Sequence, residues 1–155
     1  IVNAMTMAVK GILGTTNEQI FKLNSPEFAS EVRELLLHSG EEALAAGQFL
    51  GYKVVPILGL ESDDITNTND LLETLLERIV SDVGPTAIAT VLQDHMKGRY
   101  SEIDMINGLI ADECRKNGKP TPVNDVLVEL TTQIHRGELK PDTANLDLIR
   151  QRLKA

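Results

Sequence analysis

The stretch that decides the fold lies in the second half of the chain and reads Gln93-Asp94-His95-Met96-Lys97-Gly98-Arg99-Tyr100-Ser101-Glu102-Ile103-Asp104-Met105-Ile106-Asn107-Gly108. A helical pattern ends near Lys97, and Ser101 followed by Asp104 resembles a capping box that begins a new helix. The stretch therefore predicts two helices joined by a short polar break. It places the carboxylate of Glu102 on the first turn of the second helix.

Towards the N-terminus, apolar residues keep the three- and four-residue spacing of amphipathic helices. Residues 1 to about 13 predict a first helix that ends at Gly14. Ser25 as N-cap and Pro26 at the first helical position predict a second helix reaching Leu50. Gly40 is expected to bend or interrupt it. Tyr52 to Leu58 is strand-like but contains Pro56, which removes a ladder donor, so we expect an extended connector.

Towards the C-terminus the pattern predicts five helices. A polar stretch, Glu61 to Asn69, precedes the third, whose apolar stripe is Leu71, Leu72, Leu75, Leu76, Ile79 and Val80. The others are a fourth from about residue 86 to Lys97 after Gly84-Pro85, a fifth from Ser101 to near Asn117-Gly118, a sixth with Thr121 as N-cap and Pro122 at its first position, and a seventh from Ala144 to Lys154. The prediction is one all-α domain spanning 1–155.

Composition excludes several classes of function. The chain has 155 residues, of which 42% are apolar, so it can form one ordinary core. Its net charge of -8 would repel phosphate backbones and anionic lipid surfaces. Aromatic residues make up 3%, with no Trp, which argues against base-stacking platforms. We therefore expect neither nucleic acid nor a membrane as partner.

Cysteine usage and the termini bear on location. Cys114 is the only cysteine, which fits a reducing compartment, and no apolar run reaches the length of about eighteen residues that a membrane span needs. We expect a cytoplasmic protein. The chain begins at Ile1 inside an apolar helical pattern without an initiator Met, so we expect a fragment of a longer protein.

Metal, nucleotide and nucleophile chemistry find little support in the sequence. The three histidines, His38, His95 and His135, share no ligand spacing, and the acidic cluster Asp63-Asp64 lacks the glycine and closing glutamate of a calcium loop. No glycine-rich phosphate motif occurs, so a dinucleotide would be held mainly by another part of the protein. Cys114 lies in mid-helix with no His in register, and we expect it to be a packing residue.

The carboxylate of Glu102 has two interpretations that spacing alone leaves open. It is either a functional group or an acid that the positive end of a helix dipole favours. Asp94 is open in the same way, because it could simply pair with Lys97 or Lys53. Asn107-Gly108 could be a site of close helix packing.

Three motifs together resemble the C-terminal helical domain of the ketopantoate reductase family. They are Leu92-Gln93-Asp94, then Ser101-Glu102-Ile103-Asp104-Met105-Ile106-Asn107-Gly108, then Gly118-Lys119-Pro120-Thr121-Pro122-Val123-Asn124. The resemblance extends over essentially the whole chain, since the Val2-Asn3-Ala4 start is also similar. It implies an all-α domain of the 6-phosphogluconate dehydrogenase-like type, here without its N-terminal Rossmann domain.

The resemblance also implies an activity. The family reduces the ketone of a 2-oxo acid with hydride from NADPH, which the Rossmann domain binds, and the substrate lies between the two domains. The family's general acid is a Lys four residues before the position of Asn3, which would lie upstream of Ile1. This chain alone is therefore expected to be inactive.

Four positions match the family's site. Glu102 matches a glutamate that contacts the substrate and the cofactor region, and Asn3, Asn17 and Thr90 match substrate-binding residues, with Thr90 in place of a Ser. No metal is expected. One position departs: Met7 stands where family members often have a second Asn, and a thioether cannot donate a hydrogen bond to a polar substrate.

The resemblance thus implies the substrate-binding domain of an NADP-dependent 2-dehydropantoate 2-reductase in pantothenate biosynthesis. Two alternatives stay open. One is a reductase of the same architecture that acts on another 2-oxo acid, which Met7 favours. The other is a non-catalytic helical module that docks a partner or forms a homodimer.

Overall fold

The described chain is built from helices. The computed structural model describes residues 1–55 and 68–154, and within these ranges it contains no strand. The elements are α1 (Val2–Leu13), a π-helical turn (Gln19–Leu23), α2 (Pro26–Phe49), α3 (Thr68–Val83), α4 (Thr90–Met96), a π-helical segment (Asp104–Gly108) that continues into α5 (Leu109–Lys116), α6 (Pro122–His135) and α7 (Asn145–Leu153). The all-α prediction is confirmed.

Helix α1 is the centre of the fold. It contacts α2, α3, α4, α6 and α7 as well as the π-helical segment. The side chains of Met5, Ala8, Val9 and Ile12 are fully buried, and even the polar Thr6 and Lys10 are almost inaccessible to solvent. A helix that is apolar on nearly every side is stable in water only when other elements surround it. The remaining helices therefore pack around α1.

Two glycines allow helices to approach closely. A Cβ added at Gly11 of α1 would lie 2.5 Å from Cγ1 of Val91 on α4. One added at Gly40 of α2 would lie 2.9 Å from Sδ of Met5. The prediction that Gly40 bends or interrupts the second helix is wrong, because α2 runs unbroken from Pro26 to Phe49. The glycine serves interhelical packing instead.

Short-range sequence signals agree with the structure. Ser25 caps α2, its Oγ accepting a hydrogen bond from the Phe28 N–H at 3.2 Å, with Pro26 at the first helical position. Gly14 ends α1 in the left-handed conformation with φ of 65°. The predicted stripe of α3 is buried except for the half-buried Val80. Cys114 is fully buried, which confirms it as a packing residue.

The starts of three predicted helices are wrong. The fourth was expected from about residue 86, but α4 begins at Thr90, because Gly84 has φ of 84° and Pro85 uses its carbonyl to accept from the Glu18 N–H. The seventh begins at Asn145 rather than Ala144.

The fifth predicted helix also differs at its start. Ser101 does not cap it, since Oγ of Ser101 lies 3.1 Å from Nε2 of His135. The π-helical segment begins only at Asp104, with Ile103 in the position before it and no capping side chain. Glu102 therefore lies just before the helix rather than on its first turn. A partner distant in sequence has replaced the local capping box.

Some predictions lie outside the described residues. These are the part of the connector from Pro56 to Leu58 and the polar stretch from Glu61 to Asn67, which includes the cluster Asp63-Asp64. Among the described residues, no helix combines the length and the apolar character that crossing a bilayer requires.

The close approach at Gly11 predicts opposite effects for two glycine-to-alanine changes. Gly11→Ala should destabilise the fold by about 1 to 3 kcal/mol, because the stiff Val91 side chain leaves no room for a methyl group. Gly47→Ala is the matched control: it lies in α2 with nothing within 4 Å of an added Cβ, and should stabilise the fold by about 0.5 to 1 kcal/mol. Urea unfolding of both variants measures this, and a neutral or stabilising Gly11→Ala would contradict the packing.

Candidate functional site

Two predicted site residues, Thr90 and Glu102, line the same pocket. It has a volume of about 470 Å³ and lies between the start of α4 and the turn that precedes the π-helical segment. Both side chains are exposed to solvent. The other lining residues are Val91, Gln93, Asp94, Arg99, Tyr100 and Ile106. We call this the Glu102 pocket.

Helix α1 reaches the Glu102 pocket through Met7. The hydroxyl of Thr90 lies 3.6 Å from the thioether sulfur of Met7. Asn3 lies one turn before Met7, so the two residues share one face of α1. The position at which the family often has an amide therefore contacts the pocket-lining hydroxyl here with a thioether.

Asn3 itself lines a second pocket. This pocket has a volume of about 400 Å³, and its walls are mostly apolar side chains of α2 and α5 together with Ile1, Ala4 and Met105. Ile106 lines both pockets. The structure thus places Asn3 and Glu102 in neighbouring pockets that have Ile106 in common, not in one cavity.

Asn17 is separate from both pockets. Only 2% of its surface is exposed; its Oδ1 accepts from Nζ of Lys10 at 2.7 Å and its Nδ2 donates to the Gly84 carbonyl at 3.1 Å. In the described part of the chain Lys10 has no carboxylate partner, and burial lowers the pKa of its ammonium group. Sequence reasoning missed this pair, because a lone Lys in an apolar helix carries no recognisable pattern.

The rim of the Glu102 pocket carries an ion pair. The guanidinium of Arg99 lies 2.6 Å from the carboxylate of Asp94, and the Arg99 N–H donates to the Asp94 carbonyl. The expected pairing of Asp94 with Lys97 or Lys53 is therefore wrong. Gln93 is engaged as well, since its side-chain amide donates to the Ile88 carbonyl at 3.1 Å.

Behind the site, Asn107 joins the π-helical segment to α1. It is 1% exposed, and its amide nitrogen donates to the Ala4 carbonyl at 3.1 Å and to Oδ1 of Asn124 at 2.7 Å. The hydroxyl of Ser39 donates to the same Ala4 carbonyl at 3.0 Å. Close packing was expected at Asn107-Gly108, but a Cβ at Gly108 would meet nothing nearer than 3.7 Å. The buried contact belongs to Asn107 alone.

The same network caps α6 with a residue from another helix. The carboxylate of Glu42 accepts from the N–H groups of Val123 at 3.0 Å and Asn124 at 2.8 Å, and from the Asn124 side chain. Burial raises the pKa of Glu42, and these hydrogen bonds offset part of that rise. Thr121 occupies the predicted N-cap position, but its hydroxyl bonds Asp125 and leaves the cap to Glu42.

Two histidines meet beside the Glu102 pocket although 40 positions separate them. The rings of His95 and His135 lie 5.2 Å apart, edge to face, and burial lowers the pKa of both. Neither shares a ligand spacing with another residue, so the sequence gave no reason to group them. Among the described residues, no three His, Cys, Asp or Glu side chains are grouped so as to hold a metal ion.

The groups at the Glu102 pocket suit binding and orientation. They comprise a hydroxyl on Thr90, a free carboxylate on Glu102, the Arg99 guanidinium and the apolar side chains of Met7 and Ile106. Such a set can hold a small molecule that has both polar and apolar parts.

Comparison with known proteins identifies a family. The family model described as "Ketopantoate reductase PanE/ApbA C terminal" matches residues 1–135 of the 155. A search of curated proteins gave no match, and neither did a search of solved structures.

The network around Asn124 predicts a large loss of stability on truncation. Asn124→Ala should cost about 2 to 4 kcal/mol, because it leaves Glu42 and Asn107 with buried polar atoms that lose their partners. Asn117→Ala is the matched control: Asn117 is exposed and its amide donates only to the Glu113 carbonyl, so its loss should stay within about 0.5 kcal/mol. Chemical denaturation of both variants decides, and equal losses would contradict the network.

Proposed function

This chain belongs to the ketopantoate reductase C-terminal domain family, and from that premise we propose that it forms the substrate-binding part of a reductase that converts a 2-oxo acid to the 2-hydroxy acid. The single observation that supports this most is the presence of Thr90 and Glu102, twelve positions apart in sequence, on one pocket that Met7 of α1 also reaches. These are the residues that the family's motifs predict.

The proposed roles follow from the chemistry of each group. The reaction builds negative charge on the ketone oxygen, so it needs fixed hydrogen-bond donors around the substrate. The Thr90 hydroxyl would contact the substrate carboxylate, and the Asn3 amide would contact its polar groups from the neighbouring helix. Glu102 would orient the substrate and the cofactor at the open side of the pocket. Asn17 would bind substrate only if its bonds to Lys10 and Gly84 rearranged.

NADPH is proposed as the hydride source. It would be held mainly by an N-terminal domain, and when bound it supplies the hydride for the substrate carbonyl. One feature of the described residues fits this arrangement: the Glu102 carboxylate is exposed and makes no ion pair within them, so it is free to face a group outside this chain. The general acid is proposed to be a Lys four residues before Asn3 in the full-length protein. Another residue type there would defeat that assignment.

Met7 bears on the identity of the substrate. Ketopantoate and the pantothenate pathway are the first candidates, as the resemblance implies. Where a second amide could bind a hydroxyl of the substrate, however, Met7 presents a thioether beside Thr90. An apolar 2-oxo acid would lose nothing at this position, whereas a polar one would lose a hydrogen bond. A more apolar 2-oxo acid is the second candidate.

A different class of function has one observation in its favour. The pocket beside Asn3 has apolar walls, and Met105 and Leu109 in those walls are 76% and 49% exposed. A helical module that docks a partner without chemistry would present such a surface. Substitution of Glu102 separates the two classes, because a docking module has no use for a carboxylate in the neighbouring pocket.

In the full-length protein, Glu102→Ala should lower kcat/KM for 2-oxo acid reduction by at least about 100-fold, because the group that orients the substrate is lost. Glu138→Gln is the control, an exposed residue after α6 that lines neither pocket, and it should leave kcat/KM unchanged. Steady-state assays with NADPH measure both. Activity of Glu102→Ala near the wild-type level would refute the enzymatic role.

Met7→Asn tests the substrate class. If Met7 selects an apolar substrate, the ratio of kcat/KM for ketopantoate to that for 2-oxoisovalerate should rise by about tenfold, the value of one hydrogen bond. Met105→Asn is the matched control: it makes the same exchange at an exposed residue that lines the other pocket. An unchanged ratio in Met7→Asn would show that this position does not set specificity.

A further inference from the structure

The turn that carries Glu102 is tied to α6 by one histidine. The backbone N–H of Ser101 donates to Nε2 of His135 at 3.1 Å, and the Ser101 hydroxyl oxygen lies at the same distance from that nitrogen. His135 is the last residue of α6, 34 positions away in sequence. The residue immediately before Glu102 is therefore held from outside its own segment.

This hydrogen bond fixes the protonation state of the imidazole. A backbone N–H can only donate, so Nε2 of His135 must offer a lone pair. The ring is then neutral and carries its hydrogen on Nδ1. The neighbouring His95 is defined in the same way, because its Nδ1 lies 3.2 Å from the Gly11 carbonyl, which can only accept.

Both neighbours of Glu102 in sequence are anchored. On one side Ser101 is bonded to His135, next to which the Tyr100 ring lies at a centroid distance of 4.5 Å. On the other side Ile103 is 1% exposed and belongs to the main core. Glu102 itself is exposed and makes no ion pair within the described residues, so these two anchors determine where its carboxylate points.

We propose that His135 is a positioning residue for the Glu102 pocket: its neutral imidazole holds the turn that carries Glu102 by accepting the Ser101 N–H. The effect on catalysis rests on the proposed reductase function, whereas the hold on the turn is a property of this chain and is measured separately. Through the ring contact with His95, the anchor also reaches Gly11 of α1, the helix that carries Asn3.

Protonation releases this anchor. A proton on Nε2 places a donor against the Ser101 donor, so the hydrogen bond is lost. The groups that face His135 are Asp94 and His95 from α4, Tyr100 from the turn and Asp104 from the π-helical segment. Burial lowers the pKa of His135 from its ordinary value of 6.5, and the two carboxylates offset part of this. The anchor is thus intact at neutral pH and is lost on the acid side.

The test compares three variants of the full-length protein. His135→Phe keeps a ring beside Tyr100 but removes the acceptor, whereas His135→Gln can bring its amide oxygen to the position of Nε2 and does not titrate in this range. His38→Gln is the control, an exposed histidine on α2 that lines neither pocket. Hydrogen exchange of the segment 99–104 is measured for each, together with kcat/KM as a function of pH.

His135→Phe should speed amide exchange in 99–104 by about tenfold and lower kcat/KM by a similar factor, the value of one lost hydrogen bond. His135→Gln should restore both and remove the acid-side fall in kcat/KM that the wild type and His38→Gln show below about pH 6.5. Unchanged exchange in His135→Phe would overturn the proposal. Faster exchange without any reductase activity in the wild type would instead overturn the proposed function and leave the anchor standing.

Discussion

The buried carboxylate of Glu42 is the N-terminal cap of α6, although it comes from the middle of α2. The first N–H groups of a helix have no partner inside it, and at a buried start water cannot replace one. Glu42 satisfies two of them and also orients the Asn124 side chain, which in turn receives Asn107. Asn107 and Ser39 then bind the Ala4 carbonyl, next to Asn3. The placement of α1 and of the π-helical segment relative to each other thus depends on one acid-to-amide contact.

The helices could be predicted wherever their determinants are local. Ser25 and Pro26 begin α2, and the stripe from Leu71 to Ile79 is buried, because capping and periodicity act within a few residues. Prediction failed where a distant partner replaces a local one. Ser101 has the sequence of a capping residue but binds His135, and Thr121 yields its capping role to Glu42, 81 positions from Val123. No pattern within a single helix records such partners, so tertiary context overrides propensity.

The candidate site shows the same division. Thr90 and Glu102 were assigned from motifs, and they line one pocket. Asn17 was assigned in the same way but is buried against Lys10, a contact that no motif contains. Spacing by itself left Glu102 as an acid at a helix start. What distinguishes it is exposure without an ion pair between two anchored neighbours, which only the folded chain displays.

The π-helical segment has a consequence for insertions and deletions. Its hydrogen bonds run from residue i to i+5, so the turn holds one residue more than an α-helical turn. Deleting one residue between Asp104 and Gly108 would restore an ordinary α-helix and rotate everything after it by about 100° relative to Ile103. The buried face of α5, formed by Ile110, Ala111 and Cys114, would then turn away from α2. Homologous chains that keep this packing must therefore keep the length of this segment, even where its residue types change.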